Sequence, residues 1–183
     1  MDHDEKRSLL REYNHRINND LQALLAFIKL KRRFGVDSDE IINFSCVSIS
    51  SVSAIQNMMY DSDDDENRIS ARGFFESLKK ILDDHYARSN VRFVNETSED
   101  FIINPKKMFH IMFLVNEMVA MSVGDAAEIS FSLERDGDEA ILNYSSDTSM
   151  DGCGENIFFE QMIKQIDAIP EYGNSTVSIR FGI

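Results

Sequence analysis

From Leu10 onward, apolar residues return at spacings of three and four: Leu10, Tyr13, Ile17, Leu21, Leu24 and Ile28, with Leu25 adjoining. That period marks one stripe of an amphipathic α-helix, predicted from about Glu5 to Arg33. The basic residues of "KLKRR" close it and complement its dipole, and Gly35 follows as a stop signal. Asp37 or Ser38 then offers an N-cap for a second helix, running to about Tyr60, with Ile41, Ile42, Ile49, Val52, Ile55 and Met59 as its apolar positions. Two long helices joined by so few residues fold back as an antiparallel hairpin. A lone hairpin cannot cover both of its apolar faces. The expectation for residues 1–62 is therefore a hairpin that dimerises into a four-helix bundle.

Residues 63–67 fall within the acidic run "DSDDDEN", read as a solvated linker. As an EF-hand loop it fails, because Glu66 stands where the glycine is required and Arg72 where the terminal glutamate belongs. Beyond it, residues 68–183 alternate in period. "ARGFFESLKKILDDHYARS", "PKKMFHIMFLVNEMVAMSV" and "ENIFFEQMIKQID" read as helices. "VRFVNE", "FII" and "STVSIRFGI" read as strands, and "AEISFSLERDGDEAILNYSS" as a hairpin turning at Asp136-Gly137. The predicted class is α+β: a helical hairpin followed by an α/β sandwich of antiparallel strands and packed helices.

Composition narrows the functional classes. A net charge of −13 argues against a general binder of nucleic acid or anionic membrane. The charge is uneven: residues 1–33 carry 8 Lys/Arg against 5 Asp/Glu, so a mildly basic first helix joins an acidic body. No apolar run is long enough to span a membrane, and the charged start does not resemble a signal peptide, so a cytoplasmic protein is expected. Cys46 and Cys153 are too few for a disulfide framework and have no zinc-ligand spacing.

On a helical wheel His15 and Asn19 lie opposite the apolar stripe, one turn apart, with Arg16 beside them. His15 is thus expected to face solvent, which excludes a core histidine. The wheel leaves two readings open: a solvated surface residue, or an exposed nucleophile. Neutral imidazole near pH 7 suits phosphoryl transfer, because an exposed ring lets a phosphoryl donor approach in line. Of the other histidines, His110 within "MFHIMFLV" reads as a core or subunit-facing residue, His85 as a solvated helix end, and His3 as part of the terminus.

"YNHRINNDLQALLAFIKLKRR" resembles the phosphoacceptor box of HWE and related bacterial sensor histidine kinases, whose pattern runs His-Arg-x-x-Asn-x-Leu-Gln. His15, Arg16, Asn19, Leu21 and Gln22 match it. "FLVNEMV" is similar to the start of the family's nucleotide-binding asparagine box. By this resemblance His15 is the phosphorylated residue, Arg16 and Asn19 orient imidazole and phosphoryl group, and the hairpin dimerises and docks a response-regulator receiver domain. Asn18, Asp20 and Gln22, with Ser45, Ser48 and Ser51 of the second helix, form the expected docking surface.

The ATPase-like part departs from the family's pattern. Asn116 and Glu117 are kept, but Met121 stands where a second asparagine ligates the nucleotide's magnesium, and a thioether does not replace an amide oxygen there. Ser146 and Thr148 occupy the aspartate and glycine positions of the adenine-reading box, with Asp147 one residue out of register. Gly152 and Gly154 resemble the final glycine-rich lid. An intact phosphoacceptor helix with a degenerate ATPase-like domain resembles the stand-alone histidine phosphotransferases of phosphorelays. The expectation is a relay through His15 between receiver aspartates, with magnesium supplied by the receiver and no cofactor held by this chain. The alternatives are a histidine kinase with an atypical ATP site and a non-catalytic receiver-binding adaptor.

Overall fold

The computed structural model describes residues 3–61, 68–150 and 152–183, with side chains over 15, 17–59, 68–150 and 152–183. Helix α1 (His3–Arg33) and helix α2 (Ser38–Asp61) form the expected hairpin. The turn is a Schellman closure: Val36 N donates to the Lys31 carbonyl and Gly35 N to that of Arg32. Gly35 takes φ +75°, a left-handed conformation that favours glycine. The Asp37 carboxylate then caps α2, accepting from the Asp39 N–H at 2.9 Å. The acidic linker expected over 63–67 lies outside the described residues.

The second part consists of β1 (Ile69–Ser70), α3 (Ala71–His85), β2 (Arg92–Asn95), β3 (Ile102–Ile103), α4 (Pro105–Ser122), β4 (Glu128–Asp136), β5 (Glu139–Ser146), α5 (Ile157–Gln165), β6 (Ile169–Tyr172) and β7 (Thr176–Gly182). Five strands form one sheet in the order β2-β4-β5-β7-β6, and β1 pairs separately with β3. The β4–β5 hairpin turns at Gly137, as expected. One expectation needs correction: β2 pairs with β4 in parallel, not antiparallel. The α4 crossover between those strands makes parallel pairing possible.

Alternation along the strands separates the two faces of the sheet. Phe93, Phe131, Leu133, Leu142, Tyr144, Ile179 and Phe181 are buried on one face. The other carries a polar row in which Ser130 and Ser145 share a hydrogen bond of 2.7 Å, and Ser178 Oγ donates to Asn143 at 2.9 Å. Helices α3 and α4 cover the apolar face. Helix α4 is apolar nearly all round because it is sandwiched, with the sheet on one side and α2 on the other. The inner face of the hairpin therefore packs in cis against α3 and α4. Among the described residues, no helix is long and apolar enough to cross a membrane.

Candidate functional site

Helix α1 presents His15 exposed, with Asn18, Asn19 and Gln22 exposed on the following turn and Asp20 half-buried. The side chain of Arg16 lies outside the described residues. The backbone of α1 is continuous across this segment, so His15 and Asn19 share a face at the usual separation of about 6 Å between neighbours four apart. Opposite that face, Leu24 is buried and Phe27 stacks on Phe113 of α4 at 5.1 Å between ring centroids. The apolar stripe thus fixes which way His15 points.

Two of the expected docking residues need correction. Ser48 and Ser51 are fully buried, on the α2 face that also carries Phe44, Val47, Val52 and Ile55. Ser48 Oγ accepts from the Asn116 amide at 3.2 Å, and Ser51 Oγ donates to the Val47 carbonyl at 2.8 Å. Their small side chains let α4 approach α2 closely, so they do not face a partner. Ser45 is half-buried and bonds back to the Ile41 carbonyl.

The residues resembling the asparagine box face the hairpin. Lys31 Nζ, on α1, lies 2.8 Å and 2.9 Å from the two carboxylate oxygens of Glu117 and 3.3 Å from Glu40. Lys31 is 1 % exposed and Glu117 4 %. The ammonium also sits over the rings of Phe44 and Phe158, at 4.8 and 4.9 Å from their centroids. Asn156, which caps α5, donates from its amide to Glu117 at 3.0 Å. Helices α1, α4 and α5 therefore meet on one carboxylate, and α2 joins them through Glu40 on Lys31. Met121 touches the same Asn156 amide through its sulfur at 3.5 Å.

The remaining box-like residues also have local roles. The Asp147 carboxylate accepts from the backbone N–H groups of Ala127 and Glu128 and so caps the start of β4. Ser146 Oγ donates to the Thr148 carbonyl at 2.9 Å. Gly152 takes φ +86° before a short 3-10 turn, Cys153–Glu155, that leads into α5. His85 bonds to Asn43 of α2 at 3.1 Å, so it is a contact to the hairpin and not a free helix end. His110 is half-buried, its Nδ1 held by the Lys106 carbonyl at 2.7 Å. Burial is the main reason its pKa lies below the ordinary histidine value.

The hairpin and the helix after it, residues 12–86, match the family HisKA_2, described as "Histidine kinase". The fold superposes on the Erythrobacter litoralis blue-light activated histidine kinase with a TM-score of 0.68 at 14 % identity, covering 94 % of this chain and 62 % of that one. The histidine kinase domain of the same protein gives 0.65 at 13 % identity, covering 97 % of this chain and 94 % of that one. The Acinetobacter baumannii histidine kinase AdeS gives 0.50 at 12 % identity, over 92 % and 97 %. No curated protein matches the chain in sequence. At such identities the structural likeness is one of fold, and the chain spans under two thirds of the length of the first of these kinases. The fold is that of a histidine kinase's helical hairpin and ATPase-like domain. The family match covers the hairpin and α3, 75 of the 183 residues, and is a likeness over that part of the chain.

Proposed function

We propose that this chain is a histidine phosphotransferase, carrying a phosphoryl group on His15 between the aspartates of response-regulator receiver domains. The observation that carries the reading is the insertion of Lys31 into the Glu117 carboxylate. A magnesium nucleotide in the ordinary manner needs that face of α4 free and lined with oxygen ligands. Here the carboxylate holds an ammonium, the Asn116 amide is bonded to Ser48 at 2 % exposure, and Met121 offers sulfur. These donors do not fit the group, so the phosphoryl group is taken from a partner.

In the proposed step, a neutral imidazole nitrogen of His15 attacks the phosphorus of a receiver's aspartyl phosphate. The N–P bond forms as the P–O bond breaks, and the carboxylate departs on the receiver. The step reverses onto a second receiver. Asn19, one turn away, and Arg16 orient ring and phosphoryl group, and the receiver's magnesium neutralises charge in transfer. Asn18, Asp20, Gln22 and Ser45 belong to the docking face. The chain pairs with a second copy through a stripe left uncovered in the protomer: Leu21 and Leu25 on α1, Ile42 and Ile49 on α2, exposed by 44, 48, 57 and 52 %.

The test incubates the protein, and its His15→Ala variant, with a phosphorylated receiver and follows acid-labile phosphate. Transfer to the wild type alone is expected. No transfer to or from any receiver, together with autophosphorylation from Mg-ATP, overturns the relay in favour of a kinase, the reading that the retained Asn116-Glu117 pair favours. Unchanged signalling in the His15→Ala variant points to an adaptor.

A further inference from the structure

A cleft of about 470 Å³ opens between the hairpin and the start of α4. That volume is within the roughly 300–1,000 Å³ of small-molecule sites. It lies six residues, about 9 Å along the helix axis, ahead of Asn116, and so is separate from the box-like residues. Its two walls differ in chemistry. The hairpin wall is built on Ile17, Ala23, Ile55 and Met59, with Asp20 among them. The α4 wall adds the buried Phe109, with Lys106 and His110. Because His110 Nδ1 is bonded to the Lys106 carbonyl, its other ring nitrogen remains for a ligand.

We propose that this cleft binds a small amphipathic anion, an apolar or aromatic body carrying one carboxylate or sulfonate. The body lies against Ile17, Ile55 and Phe109. The acidic end is directed to the α4 wall, because Lys106 attracts it there. The positive end of the α4 dipole adds to that preference. A ligand so placed touches the helix bearing His15 and the second domain at once, and its occupancy fastens one to the other. Asn19 also lines the cleft, so the site borders the phosphoacceptor turn.

The probe is 8-anilinonaphthalene-1-sulfonate, an aromatic sulfonate, titrated into the full chain and followed by fluorescence and calorimetry. Saturable binding at one site per chain is expected. Ala23→Phe, which fills the cleft, should abolish it. Lys106→Glu, a surface change that spares the core, should weaken it by about tenfold or more. The uncharged N-phenyl-1-naphthylamine should bind more weakly than the sulfonate. If Ala23→Phe alters the circular dichroism, the Lys106→Glu and neutral-probe measurements decide. Non-saturable binding, or binding unchanged by Lys106→Glu and equal for the two probes, overturns the proposal.

Discussion

Lys31 is a charged residue at a position where the α1 period calls for an apolar one, seven residues beyond the buried Leu24. Its burial is tolerated because two carboxylates and two aromatic rings surround it. Removing one member of such a pair strands the other in a dry site. Lys31→Ala should therefore lower stability by about 3–5 kcal/mol, read from urea unfolding at pH 7. The double variant Lys31→Met, Glu117→Leu should recover most of that loss, since an apolar pair of similar volume avoids the desolvation cost. If the double variant proves as unstable as Lys31→Ala, the Asn156–Glu117 hydrogen bond is the stronger tie.

The two thiols allow a second prediction at the same scale. Burial, with the nearby Glu117 charge, pushes the Cys153 thiol up to about 12, whereas Cys46 is exposed. Iodoacetamide at pH 8 should leave Cys153 intact, and should modify Cys46 in the Ile49→Asp variant, whose outer α2 stripe is uncovered, as peptide mass spectrometry would reveal. For His110, burial lowers the folded pKa, so the unfolded chain binds more protons as pH falls below about 6.5. Its contribution to stability is present above that pH and declines below it. His110→Gln should reduce the loss of stability between pH 7 and pH 5 in paired denaturant titrations.

Among the elements, α2 carries two faces with opposite fates. Phe44, Val47, Ser48, Ser51, Val52 and Ile55 turn inward against the second domain, while Ile42, Cys46 and Ile49 turn outward. Ile49→Asp should abolish self-association in light scattering while leaving the protomer's melting temperature nearly unchanged. A large fall in that temperature would mean the outer stripe packs within the protomer. The turn between the helices is tested by Gly35→Ala, expected to cost roughly 1 kcal/mol for the left-handed backbone.

The hairpin, the three later helices and the β4–β5 turn were legible in the sequence because each has a strong period or a turn signal. The serines of α2 misled because hydroxyls suggest a surface, yet Ser48 and Ser51 share the period of Phe44, Val52 and Ile55. That spacing was the available clue. Lys31 was open to the same inference, since it keeps the apolar period of α1, but its basic neighbours suggested a helix cap. Strand β6 was missed because Pro170 reads as a breaker, which an edge strand tolerates. The parallel pairing of β2 depends on a long-range crossover, to which local patterns are blind.

At the scale of the whole molecule, hairpin and second domain are joined by a core and not by a tether alone. Leu24, Phe44, Val52 and Ile55 of the hairpin belong to the same cluster as Phe113 of α4 and the sheet residues. The chain should therefore unfold in one calorimetric transition, with van't Hoff and calorimetric enthalpies in agreement. Two resolved transitions in the wild type would show that the shared core does not couple the parts. Lys31→Ala is the variant expected to separate them.

The pairing of Lys31 with Glu117 also has a consequence for how the chain is made. The two residues are 86 positions apart. A ribosome adding about 5–20 residues per second completes α1 on the order of ten seconds before Glu117 emerges. Throughout that interval the nascent hairpin displays its inner apolar face and its outer stripe together. Its demand for chaperone protection is set by the time taken to translate α4, so slow codons between the two would lengthen its most aggregation-prone period.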